Sequence, residues 1–361
     1  GRAGLLRRRF DLTCANGHDA NAVWFRMDTR LDVDGWSDDA EWRARCTPPE
    51  RWRSTNHFMG PGYWAWHIPL GSGAHSVGIV ADAGMHPLDG MRDFDRALDW
   101  LGTRQPAMAR ELATQRESLL DFHFLRNYSY NCSHLFSADR WALAGEAASF
   151  LDPFYSPGSD FIAIANTYIV ALVGHDRAGR NLAPYARLYE QLFLSFYENT
   201  LSLFRGQYPL FGDVEVMSNK VLWDYAWYWG VLCQLLFQER LADLDLLVAV
   251  RADLGRAQAL NARMQALFRQ WHAVSSGRNA RTMLDQCRLP WFLELNHGLH
   301  DPLDTPGLVA RIRRHVDLLE ALADALVLSA AGRAAGLLAP LSGRPRPPLW
   351  AQAMPPLTPM T

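Results

Sequence analysis

GYWAWHIPL, residues 62–70, sets two tryptophans one residue apart and ends near a proline. Successive side chains of an extended strand point to opposite faces. Trp64, Trp66 and Ile68 therefore share one face, and Tyr63, Ala65 and His67 share the other. Pro69 has no N–H to give to a ladder and closes the strand. MGPG (59–62) and GSG (71–73) flank the stretch as turns, with residues 51–58 before them and AHSVGIVAD (74–82) after. Three short strands joined by glycine-bearing turns predict an antiparallel meander. A strand with one bulky core face would account for the tryptophans without any function.

Outward from the meander, ANAVWFRMDTR (20–30) alternates, with Val23, Phe25 and Met27 on one face, and reads as a further strand. Residues 88–120 turn helical, interrupted at Gly102 and Pro106. DFHFLRNYSYNC (121–132) and the apolar RWALAG (140–145) read as strands, EAASFLDPFYSPGSD (146–160) as a loop, and FIAIANTYIVALV (161–173) as a buried helix. Most of 184–336 is helical, including a densely aromatic run at 221–241. Seven prolines in 340–361 predict an extended tail. The fold class expected is α+β, an antiparallel sheet followed by a mainly helical C-terminal region. Four regions are expected: the sheet at 1–140, a strand–loop–helix segment at 141–175, helices at 176–340 and the proline-rich tail at 341–361.

With 49% hydrophobic and 20% charged residues the chain has a globular balance, and a formal net charge of −2 argues against electrostatic binding to nucleic acid or membranes. No apolar run approaches the roughly 20 residues of a membrane span. Cys14, Cys46, Cys132, Cys233 and Cys287 form neither a CxxC pair nor a Cys/His cluster, which points to a reducing compartment, the cytoplasm, and to no metal site. His57, His67, His75 and His86 are spread along the meander, and His123 and His134 read as ordinary hydrogen-bonding residues. Of 36 lysines and arginines only Lys220 is a lysine, and it is expected at the surface. Trp223, Tyr225, Trp227, Tyr228 and Trp229 cannot all share one helix face. They divide between core and any aromatic-lined pocket.

DPFYSPGSD (152–160) leads into a helix, whose first N–H groups and partial positive charge suit an anion. Gly158 permits close approach of a ligand to the backbone. A capped helix with Asp160 in its first turn is the plainer reading. Taken together, WAWHIP (64–69) matches W-x-W-x-I-P, and RWALAGEAASFLDPFYSPGSDFIAIANTYI (140–169) is similar to the second flavin-contacting segment of the same family, the flavin-dependent halogenases of tryptophan type. They belong to the glutathione-reductase-like FAD monooxygenase fold, of which this chain would be the C-terminal part. The resemblance covers about residues 1–173.

It implies FAD and a halide ion as cofactors, with Gly145, Glu146, Asp152, Pro153, Ser156, Gly158 and Ser159 contacting the flavin. Gly158 and Ser159 would offer N–H groups to the halide, since Pro157 has none. Trp64 and Trp66 would form the barrier between flavin and substrate. The implied chemistry passes through a flavin hydroperoxide and hypohalous acid to a small electron-rich aromatic or polyene-like substrate, free or tethered to a carrier protein. A separate flavin reductase would supply FADH2. Departures are informative. Glu146 replaces the family's aspartate, and Tyr155 occupies the position of a glutamate in tryptophan-specific members. The family's G-x-G-x-x-G segment and catalytic lysine are not in this sequence, so the chain is expected to be N-terminally truncated and to bind FAD poorly alone. An aromatic hydroxylase of the same fold and a catalytically inactive fragment are the alternatives. There is no G-x-S-x-G elbow for serine hydrolase chemistry.

Overall fold

The structure, a computed structural model, describes residues 3–45, 49–276 and 284–332. The proline-rich tail and Cys46 lie outside the described residues. The fold is α+β, and the chain divides into two units. One comprises residues 17–129 with 208–213; the other comprises 1–16, 130–207 and the chain from Val214 onward.

The first unit is built on a five-stranded antiparallel sheet. Its strands are β1 (Ala20–Met27), β2 (Asn56–Gly60), β3 (Tyr63–Pro69), β4 (His75–Asp82) and β5 (Leu119–Leu125), in the order β2-β3-β4-β1-β5. The meander is therefore present, although its first strand begins at Asn56, because Arg51–Arg53 form a 3-10 turn. Pro61 and Gly62 make the first tight turn, with Gly62 at φ 81, a region open to glycine. Helices α1 (Phe94–Arg104) and α2 (Pro106–Thr114) cover one face of the sheet, the proline opening α2 where its missing N–H costs nothing.

The face in contact with α1 and α2 carries Val23, Phe25, Met27, Tyr63, Ala65, Val77, Ile79 and Ala81. The tryptophans therefore lie outside the core that faces these helices, although Trp64 is itself buried. The face of β3 that carries Tyr63, Ala65 and His67 is the one in this core, and Trp64 and Trp66 point the other way. Pairing β3 with β4 puts Trp66 opposite Gly78 and Trp64 opposite Val80. A Cβ at Gly78 would overlap the Trp66 indole, so glycine there lets the ring lie flat over the neighbouring strand. Ser76 fixes the ring by accepting from Trp66 Nε1 at 3.0 Å.

His67 shares the core-side face and is fully buried, stacked on His75 with ring centroids 4.8 Å apart. Among the described residues neither ring nitrogen of His67 has a hydrogen-bond partner. Burial, reinforced by the neighbouring His75, lowers its pKa to about 3. An unfolded histidine titrates near 6.5, so between pH 6.5 and 3 the unfolded chain binds the extra proton. This contribution to stability is complete above pH 6.5 and is lost as pH falls toward 3. By pH 4.5 the sheet unit should lose about 2–3 kcal/mol from this group. Urea melts at pH 7 and 4.5 measure the loss, and His67→Phe should remove most of the difference; an unchanged difference in that variant would exclude His67 as its source.

In the second unit, α3 (Gly158–Arg177), α4 (Leu182–Leu201), α5 (Val214–Trp227), α6 (Leu244–Val274) and α7 (Thr305–Ala330) are the main helices. Phe161, Ile164, Tyr168, Phe193, Tyr197, Leu235, Val250 and Ile312 meet in one core. After Trp227 the helix widens into a π turn at Tyr228–Leu232 before Cys233–Phe237 resumes the α form. Arg256 of α6 ties α7 through Asp317 at 3.0 Å and Glu320 at 2.8 Å. RWALAG does not form the expected strand. It makes a single bridge, Ala142 to Phe136, and otherwise runs irregularly while Leu143 packs in the core. The strand expected across 121–132 is broken: β5 stops at Leu125, Asn127 turns at φ 43, and pairing resumes only at Tyr130, bridged to Phe150, and at Asn131–Cys132, paired with Thr13–Cys14. No helix among the described residues is long and apolar enough to cross a membrane.

Candidate functional site

The helical unit contains a cleft of about 260 Å³ around the turn that precedes α3. Gly145, Glu146, Asp152, Pro153, Ser156, Gly158 and Ser159 all line it, so the seven residues taken from the flavin-contacting segment converge on one cavity. Local chemistry explains the shape. Gly145 adopts φ 54 at the head of a 3-10 turn, and a Cβ there would sit 2.8 Å from Ile162 Cγ1 across the cleft. Asp152 is almost fully buried, and its Oδ1 accepts from the N–H of Phe154 at 3.0 Å, capping the short helix Pro153–Tyr155. Ser156 then turns left-handed at φ 55, a conformation that costs a non-glycine residue about 1–2 kcal/mol. Pro157 precedes α3, and no side chain caps that helix start. The first-turn N–H groups of a helix have no partner within it and favour negative charge.

Behind the turn is a polar cluster that the sequence reading missed. Lys220, expected at the surface, is completely buried. Its Nζ lies 2.5 Å from Asp224 Oδ2 and donates to Gln265 Oε1 at 2.9 Å. Gln265 Nε2 donates to the other oxygen of Asp224 at 2.8 Å, and the Tyr155 hydroxyl donates to Asp224 Oδ2 at 2.8 Å. Burial lowers the Lys220 pKa, opposed by Asp224, and burial beside Asp224 raises that of Tyr155 well above its ordinary value. The surface expectation fails because the four-carbon stem packs inside the bundle and the ammonium finds an ion pair one helical turn away. The signal was present in the sequence as Lys-x-x-x-Asp, which puts both groups on one face, inside an otherwise apolar run.

A second, smaller cavity of about 30 Å³, room for roughly one water, lies beside the cleft. Tyr155, Asp160, Asp224, Tyr225 and Tyr228 face it, and Pro157 and Phe161 line both spaces. Tyr228 donates to Asp160 Oδ2 at 2.8 Å, and burial raises the Asp160 pKa. The aromatic run thus divides as its spacing requires. Trp223 donates to Asn261 Oδ1 at 3.0 Å and Trp227 to the carbonyl of Ala257 at 3.3 Å, both buried, while Tyr225, Trp227 and Tyr228 border the cavity.

In the sheet unit, Trp64 is 2% exposed and donates from Nε1 to the Tyr208 hydroxyl at 3.0 Å. Trp66, 5.5 Å from it between ring centroids, keeps partial exposure. His134 is bound to Glu190 and His123 stacks on Trp24 at 5.4 Å, ordinary structural roles.

A flavin can be tested against the cleft. Its volume lies below the ~300–1,000 Å³ that enclose a whole drug-sized ligand, so this cavity can hold part of a dinucleotide and not all of it. Within that limit the donor set fits. Gly145 leaves the backbone open to a flat ring, Glu146 offers acceptors to hydroxyls, and the start of α3 offers N–H groups to an anion.

No family model matches the chain. Over 182 residues it is 25% identical to a flavin-dependent halogenase, chlA, of Dictyostelium discoideum, covering 49% of this chain and 30% of that protein. Over 137 residues it is 27% identical to a 1H-pyrrole-2-carbonyl-[peptidyl-carrier protein] brominase of Pseudoalteromonas luteoviolacea, covering 37% of this chain and 33% of that protein. These matches span about a third of the relatives' own length. Among solved structures, halogenase PltM in complex with phloroglucinol and FAD shares the fold at a TM-score of 0.53, with 17% identity, 88% of this chain and 61% of that one. By its sequence relatives, with the α+β fold in agreement, the chain is similar to the flavin-dependent halogenases.

Proposed function

We propose that this chain is part of a flavin-dependent halogenase, an oxidoreductase that halogenates an electron-rich aromatic or conjugated substrate. One observation carries the reading: the seven residues of the flavin-contacting segment line a single cleft. Residues 141–175 would hold the flavin, with Gly145, Glu146, Asp152, Pro153 and Ser156 shaping its seat and the N–H groups of Gly158 and Ser159 directed at a halide. When bound, FAD delivered in reduced form by a separate reductase would supply the oxygen chemistry. The protein's own contribution is to bind the halide, exclude water and keep the substrate from the flavin. The last task falls to Trp64 and Trp66 on the strength of the W-x-W-x-I-P motif. A carrier-tethered substrate is supported by the relative whose substrate is carried on a peptidyl carrier protein. Free thiols at Cys14, Cys132, Cys233 and Cys287 support work in the cytoplasm.

The hydroxylase alternative has the same fold and differs in product. The protein carrying this chain, given reduced FAD, oxygen, bromide and a panel of phenols and pyrroles, is expected to yield brominated product detectable by its isotope pattern. A hydroxylated product without bromine would replace halogenase by hydroxylase, and absence of either would leave the inactive-fragment reading.

A further inference from the structure

Ser156 turns left-handed directly after two anchored residues. The first is the Asp152 cap; the second is the Tyr155 hydroxyl, pinned to Asp224, which Lys220 and Gln265 hold from two further directions. Lys220 and Asp224 lie on α5 and Gln265 on α6, so side chains from two helices converge on the residue next to the strained turn. Strained backbone of this kind persists only where its surroundings over-determine it. Tyr155 also faces the small cavity whose wall, Pro157 and Phe161, is shared with the cleft.

We propose that Asp224 is a positioning residue for the cleft: through Tyr155 it fixes the turn at 153–158, and so aims the N–H groups of Gly158 and Ser159 at their anion, while Lys220 and Gln265 fix Asp224. The inference rests on the halide reading above. Lys220 acts here without touching the ligand, because its ammonium is bonded to Asp224 and Gln265 in the cluster and does not line the cleft. Tyr155 keeps its proton, since burial disfavours the phenolate, and it remains a donor across the working pH range.

The experiment follows halide binding rather than turnover. In the presence of FAD, chloride-35 NMR line broadening by the protein carrying this chain is titrated with bromide as competitor. Tyr155→Phe keeps the ring and removes only the hydroxyl; its halide affinity should fall about tenfold. Trp223→Phe removes a buried hydrogen bond from the same helix without touching the turn; it should lower the melting temperature by a similar amount and leave halide affinity unchanged. Equal loss of halide affinity in both variants would assign the cluster a purely structural role and overturn the proposal. Unaltered affinity in Tyr155→Phe would overturn it while leaving the halide reading intact. If the unsubstituted protein shows no saturable broadening, the halide reading fails and the proposal falls with it.

Discussion

Replacing Lys220 by methionine should destabilise the helical unit by about 3–5 kcal/mol, the cost of leaving one partner of a buried ion pair alone. Both side chains are essentially inaccessible to water, and the ammonium also satisfies Gln265. In the variant, Asp224 keeps only Tyr155 and Gln265 to offset its desolvation. Adding Asp224→Asn to Lys220→Met should recover much of the loss, because a neutral amide is cheaper to bury than an unpaired carboxylate. Guanidinium unfolding of the two single variants and the double gives the coupling directly. A loss below about 1 kcal/mol in Lys220→Met would mean that the pair is solvated in solution.

Trp64→Ala should cost about 3–5 kcal/mol, the range for truncating a buried large aromatic, together with the hydrogen bond to Tyr208. Trp66→Ala should cost much less, roughly 1–2 kcal/mol, because its ring is already partly in water and lies over Gly78 rather than in a closed core. The two residues share one strand face and one motif, yet only Trp66 can be altered without endangering the fold. A test of the proposed barrier therefore belongs at Trp66. In the protein carrying this chain, Trp66→Ala should raise the ratio of hydroxylated to halogenated product, as mass spectrometry would record. Equal losses of stability in the two alanine variants would contradict the burial difference.

Strand alternation read the meander correctly because its turns carry glycine and proline and its core face is regular: Tyr63 and Ala65 against Val77, Ile79 and Ala81. Alternation alone does not say which face meets the helices. The Tyr63–Ala65–His67 face meets them because Trp66 needs Gly78 beneath it and Trp64 needs Tyr208 beside it, pairings made between distant segments. RWALAG misled because a short apolar run buried on all sides looks alike whether or not it finds a ladder. The cleft was legible because its residues fall within one contiguous stretch, 145–162, and because the resemblance named them. The cluster behind it was not, since Tyr155, Lys220, Asp224 and Gln265 come from three separated segments. Only the four-residue spacing of Lys220 and Asp224 hinted at it, and that spacing is as common on exposed helices.

The seclusion of Lys220 has a chemical corollary. Among residues 1–361 it is the sole side-chain amine, and in the native fold it is sealed from solvent. Acylating reagents, and enzymes that attach groups to lysine, would find no side-chain target until the helical unit opens. The rate at which an activated ester labels residue 220 is then a clock for that opening, built into the chain by its own composition.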